Sequence, residues 1–95
     1  MAGGSTFTSD QQVAHRTSDG QLVTGRARVT YVQAAGAAGS VVKLHNGTGT
    51  GDPLLAEFKF DTDGLSVYVP GSGILFKDGV HLDLTNTAGV TIIYT

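Results

Sequence analysis

The sequence predicts an all-β domain: an antiparallel β-sandwich or jelly-roll-like barrel of seven to eight short strands. Three observations carry the prediction. Short segments alternate apolar and polar residues with a period of two, which lines one face of a strand. Turn-forming Gly, Pro and Asp residues interrupt those segments at intervals of about ten residues, the spacing of sandwiches and barrels. No window of eleven residues keeps a helical apolar period, and the stretch AAGAAG at 34–39 holds two glycines, each costing about 1 kcal/mol in a helix.

Residues 1–12, MAGGSTFTSDQQ, carry only Met1 and Phe7 as sizeable apolar groups and read as a flexible N-terminal arm. Residues 13–95 read as the single sandwich domain. Within it, 13–17 form a weak strand and Ser18-Asp19-Gly20 a turn. Residues 21–24 form the next strand. In 26–33 the alternation sets Val29 and Tyr31 on one face and Arg28 and Thr30 on the other. Residues 40–46 place Val42 and Leu44 inward, Lys43 and His45 outward. NGTGTGDP, 46–53, is an exposed loop. Residues 54–61 point Leu54, Ala56, Phe58 and Phe60 at the core, and Glu57, Lys59 and Asp61 at water.

Leu65, Val67 and Val69 supply the next inner face, and Pro-Gly-Ser-Gly at 70–73 turns the chain. Residues 74–77 are short, and Asp78-Gly79 is a hairpin dipeptide. Val80, Leu82 and Leu84 alternate with His81, Asp83 and Thr85. Val90, Ile92 and Tyr94 form the last inner face. Residues 90–95 carry no charge, so this strand is expected in a sheet interior or against another subunit, because uncharged edges invite aggregation.

Composition narrows the function classes. A chain of 95 residues makes one domain, burying roughly 60–65% of its unfolded surface. Its modest stability leaves room for a partner to contribute. Without cysteine there are no disulfides, thiolate metal sites or thiol nucleophiles. Six basic and eight acidic residues give a net charge of −2, so no nucleic-acid partner is expected. No apolar run is long enough for a membrane helix, and the first residues lack a basic and apolar leader pattern, so neither a membrane partner nor secretion is expected. Charged residues are 15% of the chain, against roughly 25% in an average domain. With 14 Gly and 12 Thr, this suggests a surface partly covered by other protein. Leu, Ile, Val and Phe make up more than a quarter, enough for a core.

No reactive constellation stands out. His81 and Asp83, two apart on a strand face, offer two metal ligands but no visible third, and a solvated outer face is the better reading. Asp61-Thr62-Asp63-Gly64 begins like a calcium loop, but position 70, where the pattern needs Glu, is Pro. Gly47-Thr48-Gly49-Thr50-Gly51 lacks the following Lys-Ser or Lys-Thr and the helix of a phosphate loop. Asn46-Gly47-Thr48 is a glycosylation sequon, idle without secretion. Gly71-Ser72-Gly73 lacks the outer spacing of a nucleophile elbow. No enzyme activity, cofactor or metal is expected. Arg26 and Arg28, with Tyr31 and Tyr68 as aromatic neighbours, either pair within the sheet or meet acidic groups of a protein partner.

The stretch 65–95, LSVYVPGSGILFKDGVHLDLTNTAGVTIIYT, is the most distinctive. Its ordered pattern runs Val69-Pro70-Gly71-x-Gly73-Ile74-Leu75-Phe76, then Asp78-Gly79-Val80-His81-Leu82, Leu84-Thr85-Asn86 and Val90-Thr91-Ile92-Ile93-Tyr94. With 21–25, 28–32 and 39–44, it resembles a group of short β-rich structural proteins of tailed bacteriophages, some of which are capsid cement (head decoration) proteins. The likeness covers about 13–95. It implies a virion structural role and a β-sandwich fold, shared by capsid-surface and tail or fibre components; the role expected here is a cement protein at the capsid surface, assembled in the bacterial host cytoplasm, that stabilises the shell by binding the major capsid protein. A cement protein of this kind is expected to act as a homo-oligomer, trimer or dimer. The alternative is a glycan- or protein-binding module of a tail or fibre component. Contacts are expected at Phe7 in the arm, at Arg26 and Arg28, and at Asn46, Thr48, Thr50 and Asp52 in the loop.

Overall fold

The alternation does produce strands, and each finds a partner. A computed structural model describes residues 11–95. Among the described residues nine strands follow in order: β1 (Gln12–Arg16), β2 (Gly20–Thr24), β3 (Ala27–Ala34), β4 (Ser40–Asn46), β5 (Leu54–Phe60), β6 (Leu65–Tyr68), β7 (Ile74–Phe76), β8 (Gly79–Thr85) and β9 (Val90–Tyr94). The described residues contain no helix. Nine strands exceed the expected seven to eight because two weak segments are held by their partners. The polar β1 pairs with β9, and the three-residue β7 pairs with β3.

The strands make two antiparallel sheets. One runs β1-β9-β3-β6, with β7 also on β3; the other runs β2-β8-β4-β5. Both are open, so the architecture is a sandwich and not a closed barrel. β9 lies between β1 and β3, which accounts for its lack of charge.

The core lies between the sheets. Ala27, Val29, Val32, Phe76, Val90 and Ile92 of the first sheet bury against Val42, Leu44, Val80 and Leu82 of the second. Complete burial of such a side chain is worth roughly 1.5–3 kcal/mol. Phe76, the largest fully buried side chain, comes from the shortest strand.

Three bulges interrupt the ladders: one leaves Leu22 over in β2, and the other two redirect side chains that strict alternation misassigns. In β3, Val29 pairs with Tyr94 and Tyr31 with Ile93, leaving Thr30 as the extra residue. Val29 and Val32 therefore face the core, while Tyr31 leaves the face of Val29 and lines up with Ile93. In β5, Ala56 pairs with Leu44 and Leu54 with His45, leaving Leu55 over. Leu54 is 44% exposed and does not join the core as expected. Opposite the β3 bulge the chain leaves β6, bonds Val69 N–H to Thr30 O at 2.9 Å, and returns as β7. Gly73 makes that return possible: its φ is +81°, and a Cβ there would lie 2.4 Å from Val29 O.

Candidate functional site

Cross-strand register stacks side chains into rows, and the outer face of the first sheet carries two. Val13 of β1, Ile93 of β9, Tyr31 of β3 and Tyr68 of β6 are direct partners in sequence across the sheet. The ends of this apolar row are open to solvent: Val13 is 66% and Tyr68 70% exposed. The Thr30 bulge places Tyr31 in the row. Beside it runs a polar row, His15–Thr91–Gln33–Ser66. His15 Nδ1 lies 2.7 Å from Thr91 Oγ1, and the Tyr31 hydroxyl bonds that of Ser66. Next to the polar row, His15, Gln33, Ala88, Gly89 and Thr91 line an open depression of about 400 Å³. The face thus combines aromatic surface with hydrogen-bonding groups, the combination enriched where proteins meet partners.

Of the two arginines, Arg28 is in this sheet, between Leu75 of β7 and the backbone of Thr95, with which it exchanges hydrogen bonds of 3.0 and 2.9 Å. Arg26 lies just before β3 and is exposed. Neither arginine forms an ion pair with an acidic group among the described residues.

The loop 46–53 lies at an end of the other sheet and divides by role. Asn46 Oδ1 accepts the Asp78 N–H at 2.9 Å, and Asp52 Oδ2 accepts those of Thr48 at 2.8 Å and Gly49 at 3.2 Å. These two residues brace the loop. Gly47 fits beneath Asp52, whose Oδ2 would lie 2.1 Å from a Cβ there. Thr48 and Thr50 are exposed near the tip. Phe7 lies outside the described residues.

The outer face of the second sheet holds an arrangement that the sequence did not announce. Gln21, His81 and His45 are direct partners across β2, β8 and β4. Gln21 Nε2 donates to Val23 O at 2.7 Å and Gly47 O at 2.8 Å, which leaves its Oε1 to accept from His81 Nδ1 at 3.3 Å. His45 Nδ1 donates to Asp52 O at 2.9 Å. Each ring therefore carries a proton on Nδ1. His45, expected in water, is only 6% exposed, with its Nε2 buried and unpartnered. The only hint was its position next to the loop.

His81 and Asp83 share a strand face as the spacing implies, but no group of three or more metal-ligating side chains forms among the described residues. Asp61 to Gly64 make a turn, closed by Gly64 N–H to Asp61 O at 3.0 Å, and the Asp61 carboxylate accepts the Gly39 N–H.

Comparison of the chain with protein-family models, with curated proteins and with solved structures found no match in any of the three.

Proposed function

We propose that the chain is a structural protein of a tailed-bacteriophage virion, a cement protein that binds the major capsid protein at the shell surface after assembly in the host cytoplasm. It acts by buried surface, without chemistry of its own. Contacts available only on the finished shell stabilise that shell by mass action.

The observation that carries this reading is the row Val13–Ile93–Tyr31–Tyr68 on the outer face of a stiff sheet. An apolar row beside polar neighbours suits a broad protein surface better than a small substrate. The likeness of the ordered strand and turn series to phage structural proteins supports the major capsid protein as that partner. Arg28, beside the row, offers a bidentate donor for a carboxylate on that partner.

The test adds the purified protein to shells assembled without it. Expected are saturable co-sedimentation at a fixed copy number and greater resistance of the shell to heat. Tyr68→Ala combined with Val13→Ser is expected to weaken binding tenfold or more while leaving the domain folded. Failure to co-sediment, with no change in shell resistance, overturns the reading.

One observation favours a second reading. Tyr31 and Tyr68 are cross-strand partners next to Ser66, Gln33 and Thr91, and a sugar ring stacks on such a pair while its hydroxyls bond the polar row. This suits a receptor-binding module of a tail or fibre. Specific binding on a glycan array, abolished by Tyr68→Ala, would establish that reading in place of the first.

A further inference from the structure

The outer face of the second sheet also carries a row of alternating charge. Asp83 of β8 pairs with Lys43 of β4, and Lys43 pairs with Glu57 of β5. The row reads minus, plus, minus, and it stops at Glu57 because β5 is the last strand of its sheet among the described residues. The next position across the edge calls for a cation. Lys59, two residues along the same strand, lies 3.6 Å from Glu57 and is 76% exposed.

We propose that β5 pairs antiparallel with β5 of a second copy of this chain, about a two-fold axis at Phe58. That register sets Glu57 opposite Lys59 of the other copy, and Lys59 opposite its Glu57. Each charge row then continues across the seam, with Lys59 of the second copy next in sequence after Glu57. Shifting the register by two residues in either direction destroys the match. One shift sets Glu57 against Glu57, the other Lys59 against Lys59, and like charges directly opposite are destabilising. A shift by one residue would turn the other copy's core face outward. Charge and face therefore favour this register over its immediate neighbours, and it overlaps more of β5 than any register centred nearer an end of the strand.

The edge itself favours the pairing. β5 has seven residues, whereas β1 and β2 have five each, and the edge opposite β9 is split between β6 and β7. Its bulge lies at its first residues, so Ala56 to Phe60 run regularly. Ala56, Phe58 and Phe60 pack on the core yet remain half-buried. The pairing places Phe58 against its own mate at the axis and Ala56 against Phe60, on the inner side of the joined sheet. An isologous contact of this kind closes at two copies. The inference does not rest on the virion reading: it holds or fails in solution, with no shell present.

The test measures the solution mass of the 95-residue chain by light scattering and sedimentation over a wide concentration range. A dimer is expected. Glu57→Lys alone and Lys59→Glu alone should each weaken it tenfold or more, because each creates two like-charged pairs across the seam. Mixing the two single variants should restore a dimer containing one copy of each, since every facing pair is then of opposite sign. That rescue separates the effect from misfolding. A monomer at every concentration, a trimer, a dimer indifferent to the single reversals, or a mixture that stays monomeric would each overturn the proposal.

Discussion

Asp52 holds the loop between β4 and β5 closed by accepting the Thr48 backbone N–H at 2.8 Å. The same oxygen takes the Gly49 N–H, so one carboxylate satisfies two donors. Asp52→Ala leaves both without that acceptor. A loss of about 1–2 kcal/mol is expected in urea unfolding. Hydrogen exchange should speed up at Thr48 and Gly49 while the amides of β8 keep their protection.

Gly73 and Gly71 both have positive φ, +81° and +73°, but only Gly73 is crowded by backbone. Gly71→Ala is expected to cost about 1 kcal/mol, the strain of the left-handed conformation alone. Gly73→Ala must also move the Val29 carbonyl. It should cost at least about 2 kcal/mol more, seen as a matching difference in unfolding midpoints at unchanged slope.

Phe76 and Tyr68 have opposite relations to the fold. Phe76→Ala empties the largest fully buried site and should cost about 3–5 kcal/mol, enough to unfold much of the population at moderate temperature. Tyr68→Ala removes a ring that is 70% exposed and should change stability by less than about 0.5 kcal/mol. Thermal unfolding of the two variants in parallel distinguishes the core role of β7 from the surface role of β6.

His45 and His81 are expected to carry their protons on Nδ1, the minor tautomer of free imidazole in water. Nitrogen-15 chemical shifts of the two rings read this directly. Gln21→Ala should shift the His81 equilibrium toward the Nε2 proton. It should also destabilise the domain by about 1–3 kcal/mol, because Val23 O and Gly47 O lose a shared donor.

Much of the sandwich was legible in the residues themselves. Alternation in Ser40–Asn46 marked β4 to its ends, and the uncharged stretch at 90–95 pointed to an interior strand. The bulges in β3 and β5 were not legible. Each adds one residue at a position with no Gly or Pro to mark it, Thr30 in one case and Leu55 in the other, and one extra residue exchanges the faces beyond it. The candidate site suffered directly. Strict alternation puts Tyr31 on the face of Val29, which hides its direct pairing with Ile93 in the outer row. The burial of His45 is hidden for another reason: it depends on contact with Asp52, seven residues further along, and a period of two carries no information about loops.

The placement of β9 governs how the chain must fold. Its residue Tyr94 pairs with Gln12, 82 positions earlier, while its other side zips onto β3. β1 and β3 cannot be joined until this late segment has been threaded between them. Closing so long a loop precedes any reward from the contacts it makes, which places refolding in the slow regime of milliseconds to seconds. During that interval β1 and β3 each expose an open ladder, so crowding should divert some chains into swapped partnerships before β9 arrives.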